Sequence, residues 1–353
     1  MERMDVTMYP LVKELCELFG PSNYEEDVQD YLKKRWAPHV ERMHSDALGN
    51  LMAHWGGEGP RVLIGAHADQ IGMLVSVISD EGMVWLSPIS GSPRLLNFAY
   101  KGILGRPARV RTEEGREIWG VIASVTGHIE TDAQSSGPVS WDDLYLDLGA
   151  TSREEVEELG VFPGCPVMWQ VTTTRFRNHI VTSGVDDRVG LAIMTQLLEE
   201  LPVEELAYEV HFVSTVQEEV GLVGAAPPVR GGDFDFAIAL DVGLASDIPF
   251  VEEKRLRSHL GQGPQLVYKD GSVHYDKKTL NRLADVARQC GIPVQRAVFH
   301  KFSSDGVIWI KEGLPTALMA WPTRYTHSPF EMIHERDLRY CVDLLKAFLT
   351  TPE

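Results

Sequence analysis

Helical and strand periodicities alternate along this chain in three blocks. The first opens with "LVKELCELFG", apolar at helical spacing and ending on Gly20, and continues with "SNYEEDVQDYLKKRW", whose Ser22 and Glu25 stand at the spacing of a capping box. Strands follow. The last of them, "RVLIGAHADQIG", runs apolar without alternation up to His67, the pattern of a strand buried on both faces of a parallel sheet. From about Met73 to about Thr172 the texture changes to short alternating segments, among them "MVWLSPIS", "RPARVRTEEGREIWGVIAS" and "CPVMWQVTTT", separated by Gly, Pro and Asp turns. That is an antiparallel signature. One helix interrupts it, "TSREEVEELG", with Thr151 and Glu154 spaced as a second capping box.

The third block returns to an α/β rhythm: helix "DRVGLAIMTQLLEEL", strands "YEVHFVSTV" and "FDFAIALDVG", helix "KKTLNRLADVARQCG", strands "VQRAVFH" and "PTALMAWP", and a closing helix "HERDLRYCVDLLKAFL". The pattern predicts an α/β fold with a mixed, mostly parallel sheet covered by helices on both faces. Residues 1–72 and 173–353 then form one discontinuous domain, and residues 73–172 a β-rich insertion.

Composition narrows the function classes. At 353 residues and 44% hydrophobic content the chain can bury a sizeable core. A net charge of −18 supplies no basic footprint for nucleic acid and otherwise reads as solubility. No apolar run approaches the ~20 residues of a membrane span, and "MERMDVTMYPLVKELCELFG" lacks the unbroken apolar core of a signal peptide, so the expectation is a cytoplasmic protein. Cys16, Cys165, Cys290 and Cys341 lie far apart without a C-x-x-C pair, which points to free, buried thiols.

Ligand sites in open α/β sheets lie outside the carboxyl ends of the strands. There the chain concentrates its acids and histidines: "VLIGAHAD" leads to His67 and Asp69, "VHFVSTVQEE" to Glu218 and Glu219, "FAIALD" to Asp241, and "TALMAWPTRYTH" to His327. Asp186 and Asp187 in "SGVDDRVG" stand at a helix start. Each has an ordinary role if taken alone, as a cap, a loop hydrogen bond or a solvated corner. Converging at one sheet edge, two imidazoles and several carboxylates need a compensating cation, and His with Asp and Glu suits zinc, cobalt or manganese. A two-metal centre needs a carboxylate bridging ions ~3.5–4 Å apart. His67 and Asp69, two apart on a strand, share a face, so Asp69 can fix the imidazole tautomer. Of Glu218 and Glu219, one can bind metal while the other moves a proton.

At these residues the chain resembles the tetrahedral (TET) aminopeptidases, a family that also holds proteins named glutamyl aminopeptidase, deblocking aminopeptidase and cellulase. The matching stretches are "GAHADQIG", "VDDRVGL", "TVQEEVGLVGA", "ALDVGLASDIP" and "PTRYTHS", in family order, and "DLYLDLGATSREEVEELGVFPGCPV" is similar to the family's inserted module. The resemblance implies a zinc-peptidase-like fold with a PDZ-like dimerisation insertion. It implies two divalent ions per subunit, zinc foremost and cobalt or manganese as alternatives, one held by His67, Asp186 and Asp241 and the other by Asp186, Glu219 and His327. Asp186 would bridge, Glu218 would act as general base and acid, Asp69 would orient His67, and the Asp186-Asp187 peptide would be cis. Substrates would be short peptides with a free N-terminus, and dimers would assemble into a hollow dodecamer.

Two departures touch substrate selection: Gln70 replaces a common acidic residue, and "FSSDG" replaces Gly-Gly-Thr-Asp while keeping Asp305. Asp305, Arg324 and His128 are pocket candidates, with a structural salt bridge and a surface loop as their competing roles. Other functions weigh less. A glycosidase wants two acids ~5–9.5 Å apart across the scissile bond, which does not account for the histidines. A deacylase of small amides would use the same metal pair, and a non-catalytic assembly protein would not need every ligand and the base intact.

Overall fold

The computed structural model describes residues 7–89, 102–129 and 141–352. Helices α1 (Tyr9–Cys16) and α2 (Glu26–Trp36) precede strands β1 (Arg42–Ser45), β2 (Leu51–Gly56) and β3 (Arg61–His67). Next come β4 (Gly72–Ile78), β5 (Val84–Ile89), β6 (Pro107–Arg111), β7 (Glu117–Ala123), β8 (Tyr145–Asp147), helix α3 (Arg153–Glu158) and β9 (Pro166–Trp169). The chain continues through β10 (Thr174–Phe176), β11 (His179–Thr182), α4 (Val185–Glu200), β12 (Glu209–Thr215), α5 (Ala226–Arg230), β13 (Phe236–Leu244) and β14 (Gln265–Lys269). It closes with α6 (Lys277–Cys290), β15 (Gln295–Val298), α7 (Gly306–Lys311), β16 (Thr316–Thr323), β17 (Glu331–His334) and α8 (Glu335–Leu349).

An eight-stranded sheet runs in the order β1-β2-β12-β3-β13-β16-β14-β15. Its centre, β12-β3-β13-β16, is parallel, and β1, β2 and β14 add antiparallel pairings. The unbroken apolar runs of β3, β13 and β16 are explained by this position, since helices cover both faces and leave no polar side to alternate with. Packing over the centre is close: a Cβ on Gly65 would come within 2.5 Å of Val213 Cγ1 and 2.8 Å of Trp309 Cη2, so only glycine fits.

Strands β4 to β9 close a separate barrel in the order β4-β5-β8-β7-β6-β9, around its own core of Met73, Val84, Val110, Ile122, Leu146 and Val167. It is tied to α2 by Arg111 on Asp27 at 2.7 Å, and to the segment before α4 by Trp169 Nε1 donating to Ser183 Oγ at 3.1 Å. The small sheet β10-β11-β17 has no counterpart in the sequence reading, because its strands are only three or four residues long.

Some local expectations are corrected. Ser22 caps nothing: the N-cap of α2 is Glu25 without a side-chain bond, and the Ser22 hydroxyl donates to Asp69 instead. The second capping box is shifted by one residue, with Ser152 accepting from the Glu155 N–H and Glu155 Oε2 accepting from the Thr151 N–H at 2.7 Å. All four cysteines are free, but Cys290, at the solvent end of α6, is exposed. Asp241 does not end its strand. Pairing of β13 with β3 stops at Ala239 while pairing with β16 continues to Leu244, so Asp241 lies where β13 leaves β3 and a crevice opens.

Candidate metal centre

The crevice gathers the acids and histidines of five segments. His67 ends β3, in register with Thr215 of β12, and the chain beyond Thr215 delivers Glu218 and Glu219. Asp186 enters from the first turn of α4, whose N-cap is Gly184, and its own φ/ψ (−83°, 99°) is non-helical, so its carboxylate is turned away from a capping role. The Asp186-Asp187 peptide is cis. Asp186 Oδ1 lies 3.0 Å from His67 Nε2, and Asp186 Oδ2 lies 3.3 Å from His327 Nε2. Glu219 Oε2 is 3.2 Å from the same His327 nitrogen, and Glu218 Oε2 is 3.8 Å from His67 Nε2. Two donor groups result, His67 with Glu218 and Asp241, and Asp186 with Glu219 and His327, each with its donor atoms within 4.8 Å of one another.

Four further carboxylates hold these groups in place. Asp69 accepts the backbone N–H of Glu218 at 3.0 Å and of Glu219 at 3.1 Å, and its Oδ1 lies 3.3 Å from His67 Nδ1, where its carbonyl oxygen also stands at 3.1 Å. This leaves Nε2 of His67 facing Asp186. Glu331 does the same for the other side: it accepts the N–H of His327 at 2.9 Å and of Asp186 at 3.3 Å. Glu25 accepts the N–H of Gln217 at 3.0 Å, and Asp187 that of His67 at 3.1 Å. Such fixing is needed, because Gln217 (φ 55°), Tyr325 (φ 64°) and His327 (φ 56°) all hold left-handed backbone that L-residues adopt at a cost.

The electrostatics of the cluster favour a cation. Burial pushes the carboxyls of Glu218 and Asp241 well above their usual range, and neighbouring carboxylates push further in the same direction. Burial alone would depress His67 and His327, yet Glu218 and Asp186 around the first and Glu219 and Asp186 around the second hold both imidazoles well above their ordinary value. Asp186, between them, is held low. Glu219 Oε1 is buried without a hydrogen-bond partner among the described residues. An orphaned carboxylate oxygen in an excess of acid beside two imidazoles fits divalent cations that take nitrogen and oxygen donors.

The remaining candidates lie variously. Asp305 is buried at the start of α7, hydrogen-bonded by the Thr215 hydroxyl, with burial pushing its carboxyl up to about 6. Arg324 is engaged by both oxygens of Asp247, Nε at 3.0 Å. His128 lies in an exposed turn after β7. Gln70 is buried against Met168 and Ser183. Sequence reasoning missed Glu331, and read Ser22 and Glu25 only as a capping box. The only signal for Glu331 was an acid opening the apolar stretch "EMIH", too short to read as a strand.

Known proteins share this arrangement of the chain. The family model for the M42 glutamyl aminopeptidases matches residues 49–344. The lysyl aminopeptidase of Pyrococcus furiosus is 31% identical over 97% of this chain and 96% of its own length. Among solved structures, an aminopeptidase from the archaeon Desulfurococcus kamchatkensis superposes with a TM-score of 0.89 at 33% identity, covering 97% of this chain and 94% of that one. The TET1 peptidase of Pyrococcus horikoshii, which can assemble into a tetrahedron or a large octahedral shell, superposes at 0.86 with 30% identity, covering 97% and 99%. Likeness over the whole length, insertion included, joined to a crevice of donors suited to metal, makes this chain a metal-dependent aminopeptidase and a member of the M42 family.

Proposed function

We propose that the protein removes N-terminal residues from short peptides with two divalent ions per subunit, zinc foremost, with cobalt or manganese as alternatives. His67, Asp186 and Asp241 would hold one ion and Asp186, Glu219 and His327 the other. The observation that carries this reading is Asp186, which offers one oxygen to each imidazole, at 3.0 and 3.3 Å. When bound, the ions would lower the pKa of a shared water and polarise the scissile carbonyl.

The chain's own residues supply the rest. Glu218, beside His67 and not needed as a ligand, takes the proton from water and returns it to the departing amine as the C–N bond breaks. Asp69 keeps the Glu218-Glu219 turn and the His67 ring in one orientation. Asp305 would line the substrate side of the crevice, with Arg324 and His128 as the further pocket candidates.

We assign the barrel to subunit pairing as a PDZ-like dimerisation unit. Val77, Trp85, Trp119 and Val121 stand outward and exposed on β4, β5 and β7, an apolar group of the kind that marks an interface. Dimers of this sort would build a tetrahedral dodecamer, in the cytoplasm, with no nucleic-acid or membrane partner; among the described residues no helix is long and apolar enough to cross a membrane.

A panel of aminoacyl anilides beside N-acetylated controls, with metal content measured on the same preparation, tests the function. Cleavage of free termini alone, lost on chelation and restored by zinc, cobalt or manganese, is expected. Cleavage of the acetylated controls would instead identify a deacylase.

A further inference from the structure

A second group of nitrogen and oxygen donors lies at the opposite end of β12. Antiparallel pairing sets His54 of β2 directly across from His211 of β12, and Glu209, two residues before His211, shares its face. The two rings lie 4.5 Å apart between centroids. Glu209 Oε1 sits between them, 2.9 Å from His211 Nε2 and 3.5 Å from His54 Nε2. One donor atom from each of the three residues falls within 4.8 Å of the others.

We propose that His54, His211 and Glu209 form a separate cation site for a zinc-class ion, with Glu41 orienting His54. Donors placed tetrahedrally at the ~2.0–2.1 Å that zinc takes from imidazole and carboxylate stand ~3.3 Å apart, so the separations about Glu209 already suit one ion. Neither ring nitrogen of His54 completes a hydrogen bond among the described residues, although carboxylate oxygens of Glu41 and Glu209 stand 3.0 and 3.5 Å away. Buried ring nitrogens left in that state cost free energy. An ion at Nε2, with the Nδ1 proton given to Glu41, satisfies both nitrogens in the arrangement common to metal-bound histidines.

Arg61 meets the same Glu209 oxygen at 3.3 Å, and it also faces Asp233 and lies over the Phe234 ring, partners it retains when an ion takes that oxygen. A cavity of about 400 Å³, lined in part by His44, Asp46 and Phe234, opens beside the two rings and leaves room for water as a fourth donor. An ion here would pin β2 to β12 and, through Glu41, the approach to β1.

Cobalt(II) alone, titrated into the full chain, is the probe. In a His67→Ala, His327→Ala background we expect one equivalent to remain bound with the intense visible absorption of a tetrahedral nitrogen and oxygen site, and His211→Gln added to that background to abolish it. In the otherwise unaltered chain, His211→Gln or Glu209→Gln should lower the ion count by one and leave aminopeptidase turnover unchanged. These two variants decide the matter even if the background protein does not fold. A count that stays the same in both, or the lack of any tetrahedral cobalt spectrum in a folded background protein, overturns the site without bearing on the aminopeptidase centre.

Discussion

The two donor groups at the crevice are built by different means. His67 closes β3, paired there with Thr215 of β12 just past the end of the pairing with β13, and is 2% exposed. His327 lies in the loop after β16 at φ 56°, with its side chain 21% exposed. On the first side the ladder of the sheet sets the ligand, and Asp69 only trims its ring and the turn after β12. On the second, a single carboxylate, Glu331, holds the backbone of both Asp186 and His327. Sites on strands are placed more exactly than sites on loops. Of the two ions proposed, the one on the His327 side should therefore be the weaker and the easier to remove.

The adjacent acids divide between the halves, which gives the largest expected effect. Glu218 stands on the His67 side and Glu219 on the other, so Glu218→Gln should lower kcat on aminoacyl anilides by about 10²–10⁴-fold with both ions retained. Near-normal turnover would remove Glu218 as the base; loss of an ion would make it a ligand and merge the two halves. Next in size, His327→Ala should release one ion and keep the fold, whereas His67→Ala should release an ion and also lower stability by about 1–3 kcal/mol, because it empties space inside the sheet. Metal counts and melting curves on the two variants, if equal, would erase the contrast.

How far the site could be read from sequence follows the same division. The strand ends were legible, since an unbroken apolar run followed by His67-x-Asp69, or by Glu218 and Glu219, marks both a buried strand and its carboxyl edge. The barrel's alternating texture was legible too, but its closure was not, because β9 must pair with both β4 and β6 across long stretches of chain. Strand β14, "QLVYK", and helix α7, "GVIWIK", went unread as short apolar pieces without caps. Glu331 could not be found from its neighbours: what makes it functional is two backbone N–H groups, at positions 186 and 327, brought to it by tertiary structure. Ser22 shows the converse, a good local signal that the fold spends on Asp69 instead.

Those supporting carboxylates provide a finer test. Glu331→Gln keeps one acceptor oxygen and turns an NH₂ toward the other N–H, so affinity for the ion on the His327 side should fall about 10–100-fold. Asp69→Asn should act on the His67 side and on the position of Glu218, lowering kcat more than it lowers ion affinity. Competition of each variant with a chelator of known affinity separates the two. If Asp69→Asn released metal as readily as Glu331→Gln, the sheet would not be the stronger support.

The smallest effect concerns how the loop side is braced from behind. Helix α4, which begins at the Asp186 turn, ends at Glu200, and α8 follows directly on the strand that carries Glu331. Glu200 joins the two helices by accepting from Arg339 Nη2 at 2.8 Å and Lys346 Nζ at 3.0 Å. Burial alone would raise its carboxyl; the two cations reverse this and hold it at about 2. A depressed carboxyl contributes stability in full above its unfolded value of ~4.3 and loses it as pH falls toward the folded one. Glu200→Gln should thus cost about 1–2 kcal/mol near neutral pH, after allowing for solvent screening. The gap between the melting temperatures of the two proteins should stay constant above about pH 5 and shrink toward pH 2. Because the metal ligands titrate alike in both proteins, they cancel in this difference, and a gap that did not narrow in acid would show that Glu200 braces the helices by packing and not by charge.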